Sequence, residues 1–183
     1  MSKAIIFFAD GLEECEALIT VDLLRRAGVE VTIASVMGRA EIVGAHKIRI
    51  LCDAVAESVD LSAADAVILP GGLPGTEHLY ESALVRGAVQ SFAEAGKLVA
   101  AICAAPTVPG RMGLLKGKRA TCYPGCEGDL EGADYADTET VTDGNFVTGS
   151  SLGAALHFAL SVIAYLDGQE VSDKVRKSIV YRH

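Results

Sequence analysis

The sequence predicts an α/β protein whose mostly parallel central sheet is covered by helices on both faces. Two observations lead to this prediction. Short apolar runs of strand length, such as AIIFFA at 4–9, alternate with longer segments whose apolar residues recur at helical spacing. These runs are continuously apolar, which is typical of parallel strands buried on both faces. The 183 residues suffice for one domain with a sizeable core, spanning 1–183.

The first βαβ unit is complete within 36 residues. The strand at 4–9 is followed by a helix over 11–28 and a second strand over 29–36. Acidic side chains precede basic ones along this helix, which complements the helix dipole, and Gly28 supplies a C-terminal stop. The charged residues concerned are Glu13, Glu14, Glu16, Arg25 and Arg26.

The next elements alternate in the same way. Strand-like stretches at 41–52 predict a hairpin or an edge excursion, and AVILP at 66–70 predicts the third parallel strand, running into a Pro-Gly-Gly loop. The remaining elements follow in chain order: a helix over 81–97, a strand over 98–103, a helix over 105–115, a short strand and a Pro-Gly turn within 116–133, a hairpin over 138–150 around Asp143-Gly144, a serine-capped helix over 150–168 ending at Gly168, and a short amphipathic helix over 169–183.

Composition narrows the range of functions. The formal charge of −8 and the lack of a basic cluster argue against nucleic acid or an anionic membrane surface as a main partner. The apolar run near the N-terminus stops at Asp10, which is too short for a signal peptide or a membrane span. We therefore expect a cytoplasmic protein that does not act at a membrane.

The five cysteines indicate reduced thiols, because their number is odd and no secretory signal precedes them. The spacing of Cys122 and Cys126 could suit a soft metal or a redox pair. Four scattered histidines and the absence of a second cysteine pair argue against zinc. We expect neither a metal nor an organic cofactor, and the sequence contains no phosphate-binding G-x-x-x-x-G-K-[ST] motif.

The strand-to-helix junction at Cys103 is the strongest candidate for a reactive centre. Small residues surround it in AAICAAP, and a side chain on such a turn projects from the carboxyl edge of a sheet. The following helix N-terminus would stabilise a thiolate, so we expect a lowered pKa for this cysteine. The alternative is a buried cysteine that simply ends a core strand.

Two other loops should reach the same sheet edge, because ligands in such folds bind beyond the carboxyl ends of the strands. DGLEECE after the first strand offers Glu14 and Glu16 as partners of Cys103, and PGGLPGTEH after the third offers the amides of Gly71 and Gly72. Each signal has a structural alternative: acids favour helix N-termini, and Pro-Gly-Gly favours a tight turn. Together they outline a nucleophile, an acid and an oxyanion hole.

These residues resemble the ThiJ/PfpI superfamily, and within it the subfamily of the parkinsonism-associated protein deglycase (DJ-one). The resemblance covers nearly the whole chain and is carried by ADGLEECEALITVDLLRRAGVEVTIAS, VILPGG and AAICAAPTVPGRMGLLKGKRATCYPG. It implies a flavodoxin-like three-layer sandwich that forms a homodimer through its first helix. Asp22, Arg25 and Arg26 would lie at that contact, although solvated surface charges would explain them equally well.

The resemblance also implies roles for particular residues. Cys103 matches the family's oxidation-sensitive nucleophile, Glu16 the acid that hydrogen-bonds its sulfur, and Gly72 and Ala104 the amides of the oxyanion pocket. Tyr123 stands where the family often has a histidine, so a Cys-His dyad is missing, and we include Tyr123 among the site residues. Ser150 stands where vertebrate members have an arginine. His78 could serve the site, whereas His157 is interpreted as a residue on the face of a helix.

The resemblance implies a cofactor-independent glyoxalase or deglycase that acts on small reactive aldehydes or their glycated adducts. The alternative is a redox-responsive chaperone or stress sensor, in which Cys103 is oxidised to the sulfinate. Cysteine peptidases and glutaminases would need a positioned histidine, either directly after the cysteine or in a late H-x-E motif. Ala104 follows the cysteine and neither late histidine has that motif, so we do not favour a hydrolase of this type.

Overall fold

A seven-stranded sheet forms the centre of the protein, as described by a computed structural model over residues 1–182. The strands lie in the order β10-β11-β7-β6-β1-β2-β5, and β10 alone among them runs antiparallel to its neighbour. Their bounds are β1 Lys3–Phe8, β2 Glu30–Ser35, β5 Ala54–Val55, β6 Ala66–Leu69, β7 Leu98–Ile102, β10 Thr140–Asp143 and β11 Phe146–Gly149.

Helices cover both faces of the sheet, and β1 shows why. Its side chains alternate between faces, so Ile6 and Phe8 enter one core while Ile5 and Phe7 enter the other. The first core packs against α1, α5 and α6, and the second against α2, α3 and α4. The helix bounds are α1 Glu14–Ala27, α2 Gly75–Glu81, α3 Ala83–Glu94, α4 Thr107–Arg111, α5 Ala155–Asp167 and α6 Gln169–Ser178. This layered architecture confirms the predicted fold class.

Two small sheets lie outside the central one. The stretch predicted as a hairpin at 41–52 forms β3 (Glu41–Val43) and β4 (Arg49–Leu51), which pair antiparallel. The segment after Cys103 contributes β8 (Arg119–Ala120), which pairs in parallel with β9 (Asp134–Tyr135). None of the helices described is long and apolar enough to cross a bilayer.

Several predicted element boundaries are wrong. The helix predicted over 81–97 is α3 alone, preceded by the unpredicted α2, because Ser82 stays extended and caps α3 by accepting from the Val85 N–H at 3.3 Å. The serine cap predicted for 150–168 does not form: a 3₁₀ turn over Leu152–Ala154 comes first, and α5 begins at Ala155. The stop at Gly168 is confirmed.

Parallel pairing brings three strand ends together. β1 pairs with β6, and β6 pairs with β7, all running in the same direction. Their carboxyl ends, at Phe8, Leu69 and Ile102, therefore lie side by side at one edge of the sheet. The loops that leave these three ends carry the candidate site.

Candidate active site

Cys103 occupies a strained elbow directly after β7. Its φ angle is 65°, in the left-handed region that a residue with a side chain adopts only at a cost of about 1–2 kcal/mol. Neighbouring backbone holds it there: the Cys103 N–H donates to the Gly149 carbonyl at 2.9 Å, and the Cys103 carbonyl accepts from the Tyr123 N–H at 2.7 Å. The half-buried thiol thus has a position fixed by two separate segments.

Two backbone amides point at the sulfur of Cys103. The N–H groups of Gly72 and Ala104 hydrogen-bond to it and favour its anionic form. Glycine is needed in this loop for two reasons. Gly72 has a φ angle of 93°, and a Cβ on Gly71 would come within 2.5 Å of Cys103 Cβ and 2.6 Å of Glu16 Oε2. The Gly-Gly pair therefore lets the loop pack directly against the thiol and the carboxyl group.

Glu16 is the carboxylic acid beside Cys103. Its side chain is only 1% exposed, and Oε2 accepts from the Gly71 N–H at 3.1 Å. Oε1 is buried and has no hydrogen-bond partner within residues 1–182. Burial raises the pKa of Glu16 to about 7, helped by the charge of Glu13 and opposed by interactions with Cys103 and the Gly71 amide. At neutral pH this carboxyl group can therefore either hold or accept a proton.

The expected lowering of the Cys103 pKa is wrong. Burial, the charge of Glu16 and a side-chain interaction with Glu16 raise the pKa of the thiol to about 12, and the amides of Gly72 and Ala104 offset this only in part. The helix invoked in the prediction is short and begins only at Thr107, so its dipole contributes little. Cys103 and Glu16 instead behave as a pair: once Glu16 takes a proton, its repulsion of a thiolate disappears.

A second buried glutamate lies close by but is bound differently. Glu14 accepts from the backbone N–H and from Nδ1 of His46, at 2.7 and 2.8 Å. Burial would raise the pKa of Glu14, yet these hydrogen bonds outweigh it and the pKa is lowered. Within the described chain, the only three potential metal ligands that converge are Glu13, Glu14 and His46, and two of them, Glu14 and His46, already bond each other.

The sequence did not show that His46 would meet Glu14. They lie 32 positions apart, and their contact depends on how the β3–β4 hairpin folds back onto α1. The nearest available signal was the predicted hairpin at 41–52, which fixes neither its orientation nor its partner. The role of Gly149, whose carbonyl holds Cys103, was missed for a similar reason: nothing indicated that β11 would join the central sheet beside β7.

The other residues singled out from the sequence lie outside this centre or touch it only by backbone. Tyr123 contacts Cys103 through its main chain, and its side chain is 50% exposed. His78 on α2 bonds the Asp10 carbonyl at 2.9 Å through Nδ1. His157 on α5 hydrogen-bonds Glu139. The backbone N–H of Ser150 donates to the Glu139 carbonyl.

The remaining thiols lack the surroundings of Cys103. Burial raises the pKa of Cys52 to about 11 and that of Cys122 to about 12, and no backbone amide lowers either value. Cys126 is half-buried and its pKa is raised. Cys15 is exposed, and three nearby glutamates raise its pKa, with Glu13 having the largest effect. Neither Cys122 nor Cys126 belongs to a group of three potential metal ligands among the residues described.

The sequence matches the model of the DJ-1/PfpI family over residues 2–165. The protein dj-1beta of Drosophila melanogaster is 40% identical over 183 residues, which is 98% of both chains. A deglycase of Pyrococcus abyssi is 38% identical over 149 residues, which is 80% of this chain and 88% of that protein.

Solved structures agree with this match. The crystal structure of Drosophila melanogaster DJ-1beta superposes with a TM-score of 0.95 at 38% identity, and the two chains cover each other completely. Oxidised DJ-1 of Toxoplasma gondii superposes with a TM-score of 0.96 at 30% identity, again with complete coverage of both chains.

Proposed function

Since this chain belongs to the DJ-1/PfpI family, we propose that it is a cofactor-independent glyoxalase or deglycase acting on methylglyoxal, glyoxal or their early adducts. One observation carries the proposal. A thiol on a strained elbow faces two backbone N–H groups and a buried carboxyl group whose pKa is about 7. These are a nucleophile, an oxyanion hole and a proton shuttle suited to neutral pH. The deglycase of Pyrococcus abyssi among the relatives supports the same chemistry.

The first step is addition of Cys103 to the aldehyde. As the sulfur bonds to the aldehyde carbon, ionised Glu16 accepts the thiol proton, and the amides of Gly72 and Ala104 bind the oxygen that becomes negative. That oxygen then takes the proton from Glu16 to give a hemithioacetal, which leaves Glu16 ionised for the next step. Coupling bond formation to proton transfer matters here because the free thiol, with a pKa of about 12, is almost never ionised at neutral pH.

The second step moves a proton between the two former carbonyl carbons of methylglyoxal. Ionised Glu16 removes the proton from the carbon attached to sulfur, giving an enediolate, and returns it to the neighbouring carbon. The hydroxyl proton of the hemithioacetal passes to the former ketone oxygen. The product is a lactoyl thioester, and water breaks its bond to sulfur. The hydroxyl of the water goes to the acyl carbon to give lactic acid, and the other proton of the water goes to the sulfur of Cys103. In the deglycase variant the aldehyde arrives as its adduct with an amine or thiol. The sulfur of Cys103 displaces that amine or thiol, which leaves with the proton that Glu16 took from Cys103, and the same hemithioacetal results.

The test is lactate formation from methylglyoxal, read by chirality-resolved detection with metals chelated. Wild type is compared with Cys103→Ser and Glu16→Gln, and Cys122→Ser serves as a matched control because Cys122 is a buried thiol outside the site. We expect one lactate enantiomer in excess from wild type and Cys122→Ser, and none above background from the other two. Equal lactate from all four proteins would refute the proposal for this substrate.

A second function draws on the same residues: a redox-responsive chaperone or stress sensor. The observation that favours it is that Oε1 of Glu16 has no partner among residues 1–182, because a protonated carboxyl group there could donate to a sulfinate on Cys103. Mass spectrometry after mild peroxide treatment separates the two functions. Stoichiometric sulfinate on Cys103, in a protein that makes no lactate, would favour the sensor.

We also propose a homodimer that uses α1. Leu18 on this helix is 40% exposed, so an apolar side chain on the surface of α1 lacks cover, and Leu51 on β4 is 77% exposed. The charges expected at the contact are engaged within the chain, since Arg25 pairs with Asp53 at 2.9 Å and Arg26 with Asp22 at 2.6 Å. Sedimentation of wild type and Leu18→Glu tests this: the dimer should dissociate in the variant.

A further inference from the structure

A polar cavity of about 490 Å³ lies at the edge of the central sheet, between β10, α5 and α6. None of its lining residues belongs to the site around Cys103. Only Leu160 and Ala164 among the lining side chains are purely apolar. Clefts of this volume are typical of small-molecule binding sites.

The polar lining follows the periodicity of the elements that surround it. His157, Ser161 and Tyr165 recur every fourth residue and therefore share one face of α5. Thr140 and Thr142 share one face of β10, because side chains alternate along a strand. Surfaces that face each other between packed elements are normally apolar. Here two polar faces meet instead, with the Ser161 hydroxyl donating to Thr140 Oγ1 at 3.5 Å, and they offer hydrogen-bonding groups to a polar ligand.

Arg176 on α6 supplies a positive charge to the cavity. Its Nε is buried and has no hydrogen-bond partner, and no carboxylate pairs with its guanidinium within residues 1–182. The nearby acids are committed elsewhere: Glu139 bonds His157, and Asp173 accepts from the side-chain amide of Gln169 at 2.9 Å. A buried donor left without a partner is costly.

We propose that this cavity binds a phosphorylated polyol, with the phosphate on Arg176 and the polyol hydroxyls on Thr140, Thr142 and Ser161. A guanidinium binds phosphate oxygens through two parallel hydrogen bonds and would satisfy the buried Nε. The cavity is larger than an inorganic phosphate requires. Its lining of hydroxyl groups complements a chain of hydroxyls and offers little to an apolar ligand.

Isothermal titration calorimetry with three probes tests the proposal: sorbitol 6-phosphate, inorganic phosphate and sorbitol. None of them carries an aldehyde, so none can react with Cys103. We expect sorbitol 6-phosphate to bind at one site per chain, inorganic phosphate to bind the same site more weakly, and sorbitol to give no measurable heat. Cys103→Ser should give the same result as wild type with each of the three probes, which keeps this outcome independent of the proposed enzymatic activity.

Substitutions identify the site. Arg176→Gln should weaken sorbitol 6-phosphate binding by at least about tenfold, whereas Arg176→Lys retains part of the affinity. Lys177→Gln is the matched control, because it removes the same charge from the next, exposed position of α6. If Arg176→Gln does not fold, Thr142→Val tests a hydroxyl contact of the same cavity without a change of charge. Absence of saturable binding in wild type, equal affinity in Arg176→Gln, or equal losses in Lys177→Gln would each overturn the proposal.

Discussion

Glu14 and Glu16 lie two residues apart in the first turn of α1, and each side chain is only 1% exposed. Their pKa values are nevertheless shifted in opposite directions from the ordinary value of a glutamate. Glu14 accepts two hydrogen bonds from His46, and its pKa is lowered. Glu16 is faced by the Gly71 amide and the Cys103 thiol, leaves Oε1 without a partner in the described chain, and has a pKa of about 7.

This comparison teaches that burial alone does not make a carboxyl group reactive. Desolvation raises both pKa values, and the number of donors facing each group decides which effect prevails. The thiols repeat the lesson. Cys103 and Cys122 both have a pKa of about 12, yet only Cys103 is approached by two backbone amides and a carboxyl group that can take its proton. Reactivity in this protein therefore depends on local donors and acceptors.

The largest expected effect is on enzymatic activity, which should distinguish Glu16 from Glu14. Glu16→Gln should lower methylglyoxal turnover by roughly 10²–10⁴-fold, because a general base is lost while the size of the side chain is kept. Glu14→Gln is the matched change two residues away and should stay within a few-fold of wild type, provided the protein remains folded. Lactate kinetics measure both. Comparable losses in the two variants would show that the acids act through the structure of α1.

The pH dependence of turnover sharpens the same contrast. Ionised Glu16 is the proposed base, so kcat/KM should rise with pH through a midpoint near 7 and fall about tenfold per unit below it. Glu14→Gln should keep this midpoint, because the pKa of Glu14 lies below the range measured. A rise that begins only above pH 9 would show that ionisation of the Cys103 thiol limits the rate.

The sequence predicted the secondary-structure elements around Glu14 and Glu16 better than it predicted the ionisation of these two residues. Continuous apolar runs identified β1, β6 and β7, and the rule that ligands bind beyond parallel strand ends placed Cys103, Glu16 and Gly72 at one edge. Those inferences use local pattern and topology. They do not fix how deeply a side chain is buried or how many donors face it.

The errors have the same origin. The pKa of Cys103 was expected to fall because a helix N-terminus was predicted beside it, but burial and the neighbouring charge of Glu16 dominate. The partnership of Glu14 with His46 depends on a hairpin that folds back over 32 positions. Periodicity carries no information about contacts of that range, so the states of the two glutamates could not be derived from it.

The pH dependence of protein stability should also distinguish the two glutamates, because their pKa values are shifted in opposite directions. The pKa of Glu16 is raised from 4.5 to about 7, so wild type loses stability as pH rises through this range. The difference corresponds to about 3 kcal/mol when Glu16 is fully ionised. Glu16→Gln cannot ionise and should melt a few degrees above wild type at pH 8 and close to it at pH 5.

Glu14→Gln should behave in the opposite way. The lowered pKa of Glu14 contributes stability above pH 4.5 that is lost only in more acidic solution. The variant turns an amide donor toward the N–H groups of His46, at a cost of about 1–3 kcal/mol, and should melt below wild type at both pH 5 and pH 8. Thermal melts of the three proteins at both pH values provide the measurement. Parallel shifts of the two variants would mean that Glu16 is stabilised as an anion, as Glu14 is.

The smallest effect concerns Tyr123, the residue that replaces the family histidine. Its backbone N–H holds the Cys103 carbonyl at 2.7 Å, a contact that any side chain other than proline preserves, while its side chain is half exposed. Tyr123→Phe should therefore change kcat/KM by less than about threefold, since general acid–base catalysis by the hydroxyl would contribute 10²-fold or more. A loss of that larger size would place a second proton donor beside Glu16. The reactive centre would then depend on a third ionisable side chain, and the contrast between the two glutamates would account for only part of its chemistry.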